Sequence, residues 1–148
     1  MRFRTLILAI LITMHSVAPA IAEPAQLSQD TLVVIQTIIL ESVGDGFESM
    51  VAVGEVIRNR ADVFQKSHKE VCLTPYQFSG WNDRRRAREF LEEHNEYLET
   101  AYRAWLASAK GHLTKGATDY HTLNIYPDWA SAYRTVAVVG SHIFYCRN

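Results

Sequence analysis

Three acidic residues, Glu41, Asp45 and Glu48, have the type and spacing required for cleavage of a glycosidic bond. Glycosidases use carboxyl groups to protonate the glycosidic oxygen and to assist attack on the sugar. On a helix, Glu41 would share a mostly apolar stripe with Val34 and Ile38. Apolar neighbours disfavour the charged carboxylate, which is the condition for a general acid near neutral pH. Glu41 is therefore the first candidate for the acid, although periodicity alone favours a helix-end glutamate that reaches water and has no function.

Asp45 and Glu48 are candidates for the second carboxylate of a glycosidase pair. Each also has a simpler structural explanation. Aspartate is common in turns, and a glutamate in the first turn of a helix is stabilised by the helix dipole. The structural interpretation is favoured for both residues.

Other catalytic chemistries have little support in the sequence. No two histidines have the H-x-x-x-H spacing of a helical zinc site, and no G-x-S-x-G or S-x-x-K motif or phosphate-binding glycine loop occurs. A Cys/His nucleophilic pair is disfavoured because the N-terminal sequence predicts export to an oxidising compartment, where a free catalytic thiol is less common. The sequence therefore predicts no metal centre and no cofactor.

Aromatic residues are concentrated between positions 76 and 133, where they have two interpretations. Exposed rings beside polar groups suit the faces of sugars, whereas buried rings fill a small core. For any single ring the core interpretation is favoured. The residues concerned are Tyr76, Phe78, Trp81, Tyr120, Tyr126, Trp129 and Tyr133.

The elements that must position these residues are mainly helical. Apolar spacing predicts helices over 31–42, 48–60 and 83–110, the first capped by Ser28 and followed by a glycine-rich turn. An irregular stretch with at most one short helix is expected over 61–82. Segments 117–123 and 135–145 are rich in strand-forming residues and predict two or three short strands. The predicted fold class is α+β, mainly helical, with a small C-terminal sheet.

The arginines at positions 84–86 begin the third predicted helix. We interpret them as its solvated first turn; the alternative is that they bind substrate.

Length and charge restrict the class of protein. The 148 residues suit one domain, and 15 basic against 16 acidic residues exclude a polybasic nucleic-acid binder. No protein partner is predicted, and we expect a monomer.

The first 22 residues have the pattern of a cleavable signal peptide, with Arg2 and Arg4, a short apolar run and Ala20-Ile21-Ala22. The expected mature domain is therefore 23–148, periplasmic or secreted, with no stable membrane anchor after cleavage. Export together with an even number of cysteines predicts a disulfide between Cys72 and Cys146; two unpaired thiols are the alternative.

Four ordered segments carry a family resemblance. They are E-S-V-G-D-G-F-E-S-M-V-A-V at 41–53 with Asn59-Arg60, Gln77-Phe78-Ser79, Ala117-Thr118-Asp119-Tyr120-His121, and Trp129 followed by V-G-S-H-I-F-Y at 139–145. Together they resemble the cell-wall hydrolase family of the SleB type, which includes spore-cortex-lytic enzymes. The similarity covers about residues 31–146.

The resemblance implies a lysozyme-like fold and a lytic transglycosylase with one essential glutamate, which corresponds to Glu41. It also implies that Glu48, Gln77, Tyr120 and His121 are substrate-binding residues of the cleft. Gly140, His142 and Phe144 would form the framework of the closing strand. The family has Glu where this chain has Asp45, so a second catalytic role for Asp45 is disfavoured.

The activity so implied is cleavage of peptidoglycan between N-acetylmuramic acid and N-acetylglucosamine, with Glu41 as acid and base. Two alternatives stay open from the sequence. One is a muramidase that uses water and a second carboxylate, and the other is a non-catalytic periplasmic module that binds glycan. The physiological role, whether wall remodelling, lysis or assembly of a secretion apparatus, is left open.

Overall fold

The computed structural model describes residues 27–147, so the predicted signal peptide at 1–22 lies outside the described residues. The described chain has the predicted mainly helical α+β fold with a C-terminal sheet. Its helices are α1 (Gln29–Ser42), α2 (Phe47–Phe64), α3 (His68–Leu73), α4 (Arg84–Glu93) and α5 (Leu98–Ala107). Its strands are β1 (Asp119–Thr122), β2 (Arg134–Val139) and β3 (His142–Cys146). A 3-10 turn at Ser79–Trp81, which we call the 79–81 turn, precedes α4.

Helix α1 is buried in the centre of the helical layer. Ser28 caps it by accepting a hydrogen bond from the Thr31 backbone N–H, and Val34, Ile35 and Ile38 are at most 1% exposed. The helix packs against α2, α3 and α5. An apolar helix surrounded in this way is held rigidly, and its last turn, which carries Glu41, is therefore fixed in position.

Two predicted helical boundaries are wrong. Helix α2 continues to Phe64, four residues past the predicted end, and closes with Gln65 in the left-handed conformation. The predicted single helix over 83–110 is broken at His94, whose Nδ1 lies 2.8 Å from the Phe90 carbonyl oxygen. A side chain that bonds its own helix backbone competes with continuation of the helix.

The three strands form an antiparallel sheet in the order β1-β3-β2. Tyr120 is opposite Phe144 in the register, and His121 is opposite Ile143. Phe144 is fully buried in a second small core with Ala52 and Val56 of α2. The sheet is thereby fixed to the same helix that follows the glycine-rich turn after Glu41.

The turn between β2 and β3 packs closely against the start of α2. Gly140 has φ +55°, and a Cβ at this position would collide with the Ser49 hydroxyl. The Ser49 hydroxyl itself donates to the Asp45 carbonyl oxygen at 3.1 Å. Glycine is therefore favoured at this contact, which joins the sheet to the turn after Glu41.

A buried carboxylate holds the segment that leads into the sheet. Glu55 of α2 is 1% exposed and accepts the backbone N–H groups of His112, Leu113 and Thr114 at 2.8–3.1 Å, as well as the Thr114 hydroxyl at 2.9 Å. Four donors satisfy both carboxylate oxygens, so Glu55 acts as a structural tie between α2 and this segment.

The predicted disulfide between Cys72 and Cys146 is absent, and both residues are free thiols. Cys72 is fully buried in the helical core, where burial raises the pKa of its thiol to about 12. Cys146 lies at the end of β3, and its Sγ is 3.7 Å from the Lys115 carbonyl oxygen. The two thiols belong to different layers of the fold, which explains why an even cysteine count was a poor guide here.

Within residues 27–147, the structure contains no helix with the length and apolar character needed to cross a membrane.

Candidate active site

A cavity of about 330 Å³ lies between the end of α1, the segment before α4 and the sheet. Glu41 is the one carboxylate among the described residues that line it. The remaining lining residues come from α1, α2, the segment 76–79, β1 with the loop after it, and β3. They are Leu40, Arg60, Tyr76, Gln77, Ser79, Tyr120, His121, Thr122, Ile125 and His142.

Two donors orient the Glu41 carboxylate. The backbone N–H of Gly80 donates to Oε1 at 2.9 Å, and the Tyr120 hydroxyl donates to Oε2 at 2.9 Å. Gly80 must be glycine for this approach, because a Cβ there would lie 2.7 Å from Leu40 Cβ. Each carboxylate oxygen therefore has one fixed partner, and the half-buried group keeps access to the cavity.

Tyr120 links the sheet to Glu41. Burial raises the pKa of its hydroxyl well above the ordinary value, and the neighbouring Glu41 charge raises it further. The hydroxyl therefore stays protonated and remains a donor. Its ring is packed between His142, at 5.2 Å between centroids, and Phe144, at 5.5 Å.

Arg60 lines the cavity and holds two of its walls together. The sequence did not lead us to predict it as a site residue. Only 6% exposed, it donates from Nε to the Thr118 carbonyl oxygen at 2.6 Å and from Nη1 to the Gln77 carbonyl oxygen at 2.9 Å. Burial lowers its pKa from the ordinary value, opposed by the negative charges of Asp119 and Glu41. The Asn59-Arg60 end of the first motif was the available signal for it.

His121 lines the cavity, and other parts of the protein occupy both of its ring nitrogens. Nδ1 lies 2.8 Å from the Thr122 carbonyl oxygen, and Nε2 lies 2.8 Å from the Tyr145 hydroxyl. Since a carbonyl only accepts, Nδ1 carries a proton, and in the neutral ring Nε2 accepts from Tyr145. His121 therefore presents a fixed ring surface and has no ring nitrogen free for proton transfer.

Asp45 lies beside the cavity without lining it. Its Oδ2 accepts from the Ser141 hydroxyl at 2.6 Å and is 3.3 Å from His142 Nδ1, a contact that lacks hydrogen-bond geometry. Burial lowers the pKa of His142, while the charges of Asp45 and Glu41 oppose that shift. Asp45 is thus engaged with the β2–β3 turn.

The other predicted site residues fall in two places. Gln77 lines the cavity with Glu41, Tyr120 and His121, so the structure brings these four together. Glu48 is exposed in the first turn of α2 and is not among the described lining residues.

Tyr76 lies at the rim of the cavity. Its ring is 88% exposed, and its backbone has φ +63°, a left-handed conformation that is costly for a residue with a side chain.

Metal ligation is not indicated in the part of the chain that the structure describes, because no three or more His, Cys, Asp or Glu side chains are grouped to hold an ion.

A scan against family models matches residues 44–145 to the cell wall hydrolase model. That range contains the described lining residues other than Leu40 and Glu41, which lie four and three residues before its start.

Two solved structures resemble the fold. One is the catalytic domain of the germination-specific lytic transglycosylase SleB from Bacillus anthracis, with a TM-score of 0.62 and 25% identity over 84% of this chain and 100% of that one. The other is the catalytic domain of the Bacillus cereus SleB protein, with a TM-score of 0.61 and 25% identity over 83% of this chain and 94% of that one. The search of curated proteins gave no significant match.

Proposed function

The chain belongs to the cell wall hydrolase family, and on that premise we propose that it cleaves the glycan strand of peptidoglycan as a lytic transglycosylase. The bond broken would be the one between N-acetylmuramic acid and N-acetylglucosamine. Glu41 would act as both acid and base. The printed name of the Bacillus anthracis neighbour, a lytic transglycosylase, supports this reaction type.

One observation carries the proposal. Glu41 is the single carboxylate among the described residues lining the cavity, and two donors from separate elements hold it in place. A transglycosylase requires one carboxyl group in two successive roles, whereas a hydrolase of the lysozyme type requires two carboxyl groups near the same bond. The composition of the cavity therefore favours the transglycosylase.

The proposed reaction begins with protonated Glu41, which donates its proton to the glycosidic oxygen. The bond from the muramoyl C1 to that oxygen breaks, and the N-acetylglucosamine oxygen keeps the electron pair. The Glu41 carboxylate then takes the proton of the muramoyl C6 hydroxyl, whose oxygen bonds to C1. The product is a 1,6-anhydro sugar, no water is consumed, and Glu41 is protonated again.

Gly80 and Tyr120 serve this cycle as positioning groups. Their donors lie 2.9 Å from the two carboxylate oxygens, so they would stabilise the anion that forms once the proton has left. The buried Tyr120 hydroxyl keeps its proton throughout, because its pKa is raised well above the ordinary value by burial.

The walls of the cavity suit a sugar chain. The rim residue Tyr76 offers an exposed aromatic face, and Ile125 offers an apolar contact 64% exposed. Gln77 and the fixed ring of His121 complete the proposed binding surface. Glu48 lies away from it, so we do not assign it a binding role.

The substrate lies outside the cytoplasm, so the proposal entails a periplasmic or secreted enzyme. Residues 1–22 would direct export, and 23–148 would be the catalytic domain.

The deciding experiment is mass spectrometry of muropeptides released from purified sacculi, with Glu41→Gln as the control. We expect the wild type to release products with 1,6-anhydro ends and the variant to release them about 10³-fold more slowly. Reducing ends from the wild type would instead indicate the water-using muramidase. Retained activity in a folded Glu41→Gln protein would overturn the assignment of Glu41.

A further inference from the structure

A second cavity lies next to the cavity around Glu41, along the 79–81 turn. The second cavity has a volume of about 350 Å³ and shares Leu40 and Ser79 with the first. Beyond the shared residues it is lined by Asn82, Asp83 and Arg86, among others. A glycan strand that occupies the first cavity would therefore extend beside the start of α4.

The charge order along α4 is opposite to the one that stabilises a helix. Arginine occupies positions 84, 85, 86 and 88, and glutamate occupies positions 89, 92 and 93. The helix dipole favours acidic residues at the start and basic residues at the end. Only Ala87 of α4 is buried, so the arginines do not serve the core. A local arrangement that costs stability in this way is typical of a functional region.

Arg86 and Arg85 differ in their relation to the second cavity. Arg86 lines it, whereas Arg85 is not among its described lining residues and lies 3.9 Å from Glu89. Their side chains are 81% and 80% exposed. The two arginines therefore have the same charge and exposure but different positions.

The neighbouring acidic group, Asp83, leaves Arg86 available. Asp83 Oδ1 accepts the backbone N–H groups of Arg85 and Arg86, and this carboxylate thereby caps α4. Its Oδ2 is 3.8 Å from Arg86 Nε. Ion pairs this exposed contribute little, so the Arg86 guanidinium can exchange this contact for a ligand carboxylate.

We propose that Arg86, in the second cavity, binds a carboxylate of the peptide stem of peptidoglycan, so that the enzyme prefers strands that still carry their peptides. This inference rests on the proposed function. The peptide is attached to the lactyl group of N-acetylmuramic acid, next to the bond that Glu41 would cleave. A guanidinium matches a carboxylate with two parallel hydrogen bonds, which makes arginine the appropriate residue here.

The test compares kcat/KM on two substrates, glycan strands with intact peptides and the same strands stripped by an amidase. We expect the wild type to prefer intact strands, and Arg86→Gln to reduce that preference by about five- to tenfold, the effect of one hydrogen-bonded contact at a solvent-exposed site. Arg85→Gln removes the same charge from the same helix turn, and we expect it to keep the wild-type preference. Amidation of the peptide carboxyls should reduce wild-type turnover to a similar extent.

Three results would overturn the inference. They are an unchanged preference in Arg86→Gln, an equal loss in Arg85→Gln, and a greater loss on stripped strands, which would identify the lactyl carboxylate as the ligand. Circular dichroism should show both variants folded, because surface substitutions of this kind change stability little. Failure of the proposed function itself would look different, since the wild type would then release no product from either substrate.

Discussion

Glu41 and Glu55 lie on adjacent core helices, but their carboxylates differ in burial and in the number of hydrogen bonds they accept. Glu55 is 1% exposed and accepts four hydrogen bonds from one segment, so both of its oxygens are fully used. Glu41 accepts two hydrogen bonds, one from Gly80 and one from Tyr120, and opens into a cavity. A carboxylate on a core helix thus has a structural role when the chain fills both of its oxygens with hydrogen bonds. It remains available for chemistry when part of its hydrogen-bonding capacity is left unfilled.

The largest expected difference between substituting Glu41 and substituting Glu55 is in the catalytic rate. Glu41→Gln should lower the rate of muropeptide release by about 10³-fold, because a proton donor and acceptor is lost. The amide can still accept from Gly80, so the melting temperature should stay close to that of the wild type. Turbidity loss of sacculi and a thermal melt measure the two quantities. A large loss of stability would show that Glu41 resembles Glu55 after all.

Glu55→Gln should show the reverse pattern. An amide nitrogen would face backbone N–H donors in the segment 112–114, which leaves buried donors without partners and costs about 3 kcal/mol of unfolding free energy. Urea unfolding measures this loss. At a temperature where the variant is folded, its activity per folded molecule should remain near the wild-type level. A thousandfold loss of activity in the folded variant would contradict the comparison.

Tyr120→Phe tests whether the hydrogen bond from the Tyr120 hydroxyl to Glu41 matters for catalysis. The change removes one of the two donors to Glu41 and keeps the ring packing, so kcat should fall about tenfold, with little change in stability. Tyr97→Phe is the matched control, since Tyr97 packs against the helical core and does not line the cavity. Equal effects of the two substitutions would remove Tyr120 from the proposed mechanism.

The smallest expected effect is on the pH dependence of stability. Burial lowers the pKa of His142 below the unfolded value near 6.5, so the folded state binds its proton less readily than the unfolded state. This contribution to stability is present above about pH 6.5 and is lost as the pH falls. Urea unfolding between about pH 5.5 and 7.5 should show a decline toward acid that is shallower in His142→Asn.

His68, which lies away from the cavity, is the control for His142. It packs edge-on against Trp105, and burial lowers its pKa in the same direction. His68→Asn should therefore also flatten the profile, while the pH dependence of activity should change only in the His142 variant. A stability profile that neither substitution alters would rule out both residues as its source.

Much of the helical layer could be predicted from the sequence because its signals are local. Ser28 is a side-chain cap, the residues after it are apolar on nearly every face, and glycines end the helix, so α1 is found at the predicted place. Glu41 became a candidate in the same way, from neighbours on its own helix, and the family resemblance then favoured it as the catalytic residue. The break at His94 was missed, because a side-chain bond to the preceding turn leaves no mark in apolar spacing.

The cavity could be predicted only in part. Gln77, Tyr120 and His121 were inferred from a family resemblance, whereas Arg60 was missed because its role depends on partners at positions 77 and 118. The disulfide prediction failed for a related reason. Counting cysteines gives no distance, and Cys72 and Cys146 are free thiols in different layers of the fold.

The sequence by itself determined the element types, the helical character and the position of Glu41 at the end of a buried helix, since these depend on residues close together in the chain. The tertiary structure decided which glutamate is free for chemistry. Gly80 and Tyr120 reach Glu41 from 39 and 79 positions away, and the donors of Glu55 lie 57 to 59 positions from it. Hydrogen-bond satisfaction at such separations is a property of the packed fold, because only packing brings those donors within bonding distance.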